Sequence, residues 1–170
     1  MTISIGPSAI DRAAAFPATY TAIDTHNPAD GSGVLTSFEI WHATTGGGVK
    51  VGTFHGSSTS YTMRDYEALG TVASGSKQTF TGKNCDVIAE DFIGWFAASG
   101  TLENATGTTS GQYYANADYF DGSAHNYTLA SDQTFSLAAT GSGDANPACY
   151  LHTRRDRMNM KGVSTQNSLA

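Results

Sequence analysis

GVLTSFEIWHATTGGGVKVGTFHG, residues 33–56, is the stretch that decides the fold class. In an extended chain Val34, Thr36, Phe38 and Ile40 share one side, while Ser37, Glu39 and Trp41 share the other. Such a period of two, bounded by turn residues, marks an antiparallel strand with one covered face. The three glycines at 46–48 then predict a hairpin into a second strand, VKVGTF at 49–54.

The same texture continues in both directions. TISI (2–5) reads as an edge strand stopped by Gly6-Pro7, and residues 8–15 read as a helical turn ended by Pro17. TYTAID (19–24) reads as a strand, followed by a turn in which Pro28 and Gly31 impose the bend. Further short strands are expected at 60–63, 67–73, 77–82 and 85–88. Residues 91–98 are apolar on both sides, as in a central strand covered on both faces. Strands at 101–104, 111–115, 126–129 and 134–139 complete the pattern. The expected fold is therefore all-β, an antiparallel β-sandwich of jelly-roll type occupying 1–140. GSGDANP (141–147) opens a linker and a short extended C-terminal tail over 141–170. Phe38, Ile40, Val49, Val51, Phe92, Phe96, Phe135 and Leu137 are the expected core.

Composition narrows the class further. The chain has 170 residues, enough for one domain with a substantial core. Charged residues make up 14% against about 25% in ordinary domains, and Ser and Thr keep the solvent face polar instead. The formal net charge of −6 conceals an asymmetry: residues 1–153 hold fourteen acids and five bases, whereas 154–170 hold Arg154, Arg155, Arg157 and Lys161 against Asp156 alone. An acidic body argues against nucleic acid as a ligand. The basic end reads either as a solvated tail or as an arm docking on an acidic neighbouring copy, and those four residues are the expected subunit contacts. The first sixteen residues lack the charged and apolar regions of a secretory signal, and no stretch reaches the roughly 18 apolar residues of a membrane span. The expectation is a product made in the cytoplasm, with no membrane partner.

Motifs for chemistry are sparse. Gly-Ser pairs at 56–57, 75–76 and 122–123 do not complete a nucleophile elbow. His26, His42, His55, His125 and His152 show no zinc spacing, although a 46–48 hairpin would bring His42 towards His55. Glu39, Glu67, Glu90 and Glu103 are available carboxylates, with no spacing that selects a glycosidase pair. Asp24, Asn27 and Asp30 in one loop, and Asp118 and Asp121 in another, offer hard oxygens for calcium but also suit turn capping, which is favoured. Cys85 and Cys149 lack metal or redox spacing and read as two buried thiols rather than a disulfide. No catalytic residue, metal site or cofactor is expected. The remaining ligand candidates are Trp41, Tyr113, Tyr114 and Tyr119, whose rings offer flat faces to sugars; Tyr113 and Tyr114, as neighbours on a strand, must point opposite ways.

IGPSAIDRAAAFPATYTAID (5–24), NPADGSGVLTSFEIW (27–41), KVGTF (50–54) and GSKQTFTG (75–82) together resemble uncharacterised β-sandwich proteins encoded in bacteriophage and environmental contigs, over roughly residues 3–140. The resemblance implies a virion-type protein: a capsid decoration, or a head or tail fibre, on the surface of a virion or other extracellular particle. Its partners would be copies of itself or a major structural protein of the assembly. It transfers no functional residues. A carbohydrate-binding module using exposed aromatics, and a filament subunit that adds TISI or the tail to a neighbour's sheet, are the alternatives.

Overall fold

The computed structural model describes residues 1–143 of the chain. These residues are all-β, as the alternation implies. The strands are β1 (Thr2–Ile5), β2 (Ala14–Pro17), β3 (Thr21–Asp24), β4 (Gly33–Ser57), β5 (Ser60–Val72), β6 (Lys77–Val87), β7 (Phe92–Phe96), β8 (Ser99–Ala115), β9 (Ala124–Asn126), β10 (Thr128–Phe135) and β11 (Leu137–Gly143). Every ladder is antiparallel.

β4 organises the sandwich because it belongs to both sheets. Its 33–41 half lies between β11 and β6, with β1 outside β11. Beyond His42 it enters the second sheet, where β5 takes one edge and β7 and the start of β8 follow one another along the other. β3 joins β7 to the far half of β8, while β2 and β10 flank β8. The main core lies between the sheets. Leu35, Phe38, Ile40, Val87 and Leu137 come from the first sheet, and Val49, Val51, Ile93, Trp95, Leu102 and Phe135 from the second.

Several elements differ from the sequence reading, each for a physical reason. The alternation on 33–41 is broken by a bulge: Leu35 rather than Val34 is buried beside Phe38, and Thr36 is exposed. The pairing slips there against both neighbours, between Leu35 and Ser37 facing β6 and between Thr140 and Gly141 on β11. No hairpin forms at 46–48. The register shifts between Gly46 and Val49 instead, so the extra residues bend the strand while it continues. A Cβ on Gly46 would lie 2.3 Å from the His42 ring, so the glycine gives the ring room. The hairpin closes later, at Ser57 and Ser60, with Ser58 at φ 57. His42 and His55 therefore sit on one strand and do not face each other across a turn.

Residues 8–15 carry no helix. A single turn has no stability of its own, and here tertiary bonds hold the segment: the Arg12 N–H donates to Glu103, its guanidinium donates to Ser136 and the Ser8 carbonyl, and Ser136 donates to the Ile10 carbonyl. The pairs of short strands expected at 60–73, 77–88 and 101–115 are each one strand. Within β8 the register jumps from Thr106 to Gly111 opposite Ser131–Gln133, so the polar residues between them bulge outward. Seven of the eight expected core residues are buried. Phe92 is the exception: it is half-buried, packed at the margin of the outer-face cluster that holds Phe54 and Phe96.

Candidate functional site

Two regions carry chemistry-bearing side chains: an aromatic outer face on the second sheet and a polar knot at one end of the core.

The outer face follows from alternation. On β4, Val49 and Val51 point into the core, leaving Lys50, Gly52 and Phe54 outside; on β7, Phe92, Gly94 and Phe96 do the same. One row of ladder partners runs Tyr66, Gly52, Gly94, Ile23, Tyr113 across four ladders. The two glycines make a trough. A Cβ on Gly94 would stand 2.3 Å from the Phe54 ring, which lies over it. Residues 116–127 cover part of this face: Phe120 meets Phe54 edge-on at 5.2 Å, and Tyr127 meets Tyr61 at 5.8 Å. Tyr119 stacks flat on His125 at 3.7 Å, and His125 pairs with Asp121. The amide of Ser123, then His125, holds the Asp121 carboxyl below the usual range. Lys50 pairs with Asp118 and stands over the rings of Phe96 and Tyr66. Desolvation pushes the Tyr61 phenol up to about 12, with Tyr113 adding to it. Two side chains reach solvent at the margins: Tyr66, 41% exposed, and Leu129, 52% exposed.

The four aromatic candidates do not form one platform. Tyr113 and Tyr119 belong to the outer face. Tyr114 points the other way and meets Phe16 and Tyr20 edge-on beside the main core. Trp41 is half-buried on the first-sheet half of β4, opposite Lys77. Tyr66, the most exposed ring of the outer face, escaped the sequence reading, because the bulges in β4 and β5 decide which way it points.

The polar knot is built from inward positions. Asp24 lies two residues after the core residue Ala22, Gln112 two before Tyr114, and Asn104 two after Leu102. Asp24 and Gln112 are direct partners on the β3–β8 ladder. The amides of Asn104 and Gln112 both donate to Gln133 Oε1, at 3.3 and 3.0 Å. Asp24 Oδ1 accepts from the His26 and Asn27 backbone N–H groups and from Asn27 Nδ2. That is a turn cap, in line with the favoured reading of the 24–30 loop. Burial raises the Asp24 carboxyl, partly offset by these bonds.

The other candidates are taken up locally. Glu39 pairs with Lys77 and Glu67 with Lys83, while Glu103 accepts from Arg12. Asp30 accepts the Ser4 N–H, and the Asp30 N–H donates back to Ser4 O, so the 27–30 loop covers the edge of β1 there. His42 is fully buried: its Nε2 accepts from Trp95 Nε1 at 3.2 Å, and its Nδ1 faces the Thr44 carbonyl at 3.3 Å. Desolvation pushes it down to about 4, so it is neutral. Cys85 is a buried free thiol, raised by desolvation and by nearby Asp65. Among the described residues no group of three or more His, Cys, Asp or Glu is placed to hold a metal. Cys149, His152, Arg154, Arg155, Arg157 and Lys161 lie outside the described residues.

No protein-family model, curated protein or solved structure matches the chain.

Proposed function

We propose that this protein is a non-enzymatic structural or surface-display component of a larger assembly, of virion type, such as a capsid decoration or a head or tail fibre. The observation that carries the reading is the use of charge. Residues 1–143 hold thirteen acidic and five basic side chains. Four of the bases, Lys50, Arg64, Lys77 and Lys83, are paired with Asp118, Asp91, Glu39 and Glu67. The fifth, Arg12, is tied to Ser136 and Ser8. The body thus spends its cations internally and keeps exposed acids such as Asp11, Asp30, Glu90 and Asp132. Such a surface repels nucleic acid and complements a basic segment, and residues 154–170 are one. Copies would join when that segment of one reaches the acidic body of the next.

Light scattering on the full chain and on a chain lacking 154–170 tests this reading. The full chain should form multimers that weaken between low and high salt, as screening requires. The shortened chain should remain a folded monomer. Equal assembly by both would defeat the reading.

Glycan binding is the second reading, favoured by the partly exposed rings of Tyr66, Tyr113 and Tyr119 on one outer face. Binding on a glycan array that is lost in Tyr66→Ala and kept in Trp41→Ala would point to that face.

A further inference from the structure

The polar knot leaves three buried oxygens without a protein donor: Asp24 Oδ2, Asn104 Oδ1 and Gln112 Oε1. Their residues are 0%, 3% and 0% exposed, so bulk water does not serve these atoms. A buried polar atom left unpaired keeps its full desolvation penalty, and an ionised one costs more. Three together are a large debt for a fold to carry. The arrangement is one-sided as well. Each amide nitrogen gives an N–H to Gln133 Oε1, while neither amide oxygen has a donor. The three inward positions lie on the two neighbouring strands β3 and β8, with Asp24 and Gln112 in register.

We propose that Asp24, Asn104 and Gln112 bind a single hard cation, Ca²⁺ or Na⁺, through these oxygens. One carboxylate and two amide carbonyls are ligands such ions take. A water molecule brings two donors for three acceptors. Arg12 does not fill the role: its field reaches Asp24, but its guanidinium hydrogen bonds go to Ser136 and Ser8. The site differs from the 24–30 loop weighed in the sequence, since Asp24 Oδ1 is occupied by that turn and only Oδ2 faces the ion. A bound cation also answers the burial that raises the Asp24 carboxyl. Its effect would be structural, fastening β3 to β8 where the core ends.

The test uses the full chain, dialysed against chelator in choline chloride of fixed ionic strength. Thermal unfolding is followed alone, with CaCl₂ and with NaCl. At a hundredfold excess over Kd a specific ion should raise Tm by about 5 °C or more; a response to calcium alone or to sodium alone identifies which ion binds. Asp24→Asn keeps the Oδ1 acceptor of the turn and places an amide N–H at the ion's position, so it should fold and lose the response. Calorimetric titration of the wild-type chain with CaCl₂, and ²³Na NMR, decide the matter if Asp24→Asn does not fold: one site per chain supports the proposal. No binding of either ion, or an equal response from Asp24→Asn, overturns it.

Discussion

His42 illustrates how one buried side chain makes stability depend on pH. Its Nε2 accepts from Trp95 and its Nδ1 faces a carbonyl, so the neutral ring fits and the cation does not. Folding lowers its pKa from 6.5 to about 4, so between those values the unfolded chain binds the extra proton. The stability it contributes is complete above pH 6.5 and is lost as pH falls towards 4, a change of up to about 3 kcal/mol. Asp24, raised by burial, acts in the opposite sense: folding favours its protonated form. The difference between wild type and His42→Gln in urea titrations across this range isolates the histidine, and a parallel slope in the two proteins would contradict the assignment. A second contrast concerns the aromatics. Phe54 is fully buried over Gly94, whereas Phe92 is half-buried. Phe54→Ala should cost about 3–5 kcal/mol through lost transfer energy and a residual cavity, and Phe92→Ala distinctly less. Equal losses in chemical denaturation would show that the outer face packs otherwise.

The strands were legible wherever a local rule decided them. Alternation and turn residues identify β1 and β3, an apolar run covered on both faces identifies β7, and Tyr113 and Tyr114 must diverge because successive strand residues do. The length of β4 was hidden because a run of glycines reads alike as a turn or as a bend in a strand. What decides is the partner: β5 and β8 pair along both sides of the bend. The bulge near Leu35 was hidden for a similar reason, since it depends on pairing with β11, about a hundred residues downstream. The polar knot had a faint signal, single Asp, Asn and Gln residues at inward positions of otherwise apolar strands. Nothing local joins residue 24 to residues 104 and 112. Gly141 tests the β4–β11 bulge directly. A Cβ there would stand 2.0 Å from the Val34 carbonyl and 2.7 Å from Leu35 Cα, both backbone atoms that cannot turn aside. Gly141→Ala should therefore destabilise the fold by about 1–3 kcal/mol and speed amide exchange in β1 and β11 before β7. Uniform or unchanged exchange would tell against that close crossing.

Residues 1–143 form a two-sheet body threaded by one strand, with four of its five bases consumed in ion pairs and acids such as Asp11, Asp30, Glu90 and Asp132 left exposed. That distribution gives the basic segment a target, and it also separates folding from assembly. Removing 154–170 leaves every ladder of residues 1–143 in place, so Tm should change by no more than about 2 °C, well inside the effect of a single core truncation. The proposed joining of copies can be read out at the atoms concerned. Equal amounts of ¹⁴N- and ¹⁵N-labelled chain are mixed, treated with a zero-length carbodiimide that couples amines to carboxylates, and digested for mass spectrometry. The account predicts mixed-isotope links from Lys161 to exposed body carboxylates such as Asp11, Asp30, Glu90 or Asp132, lost at high salt. Links from Lys161 found only within one isotope label would contradict it.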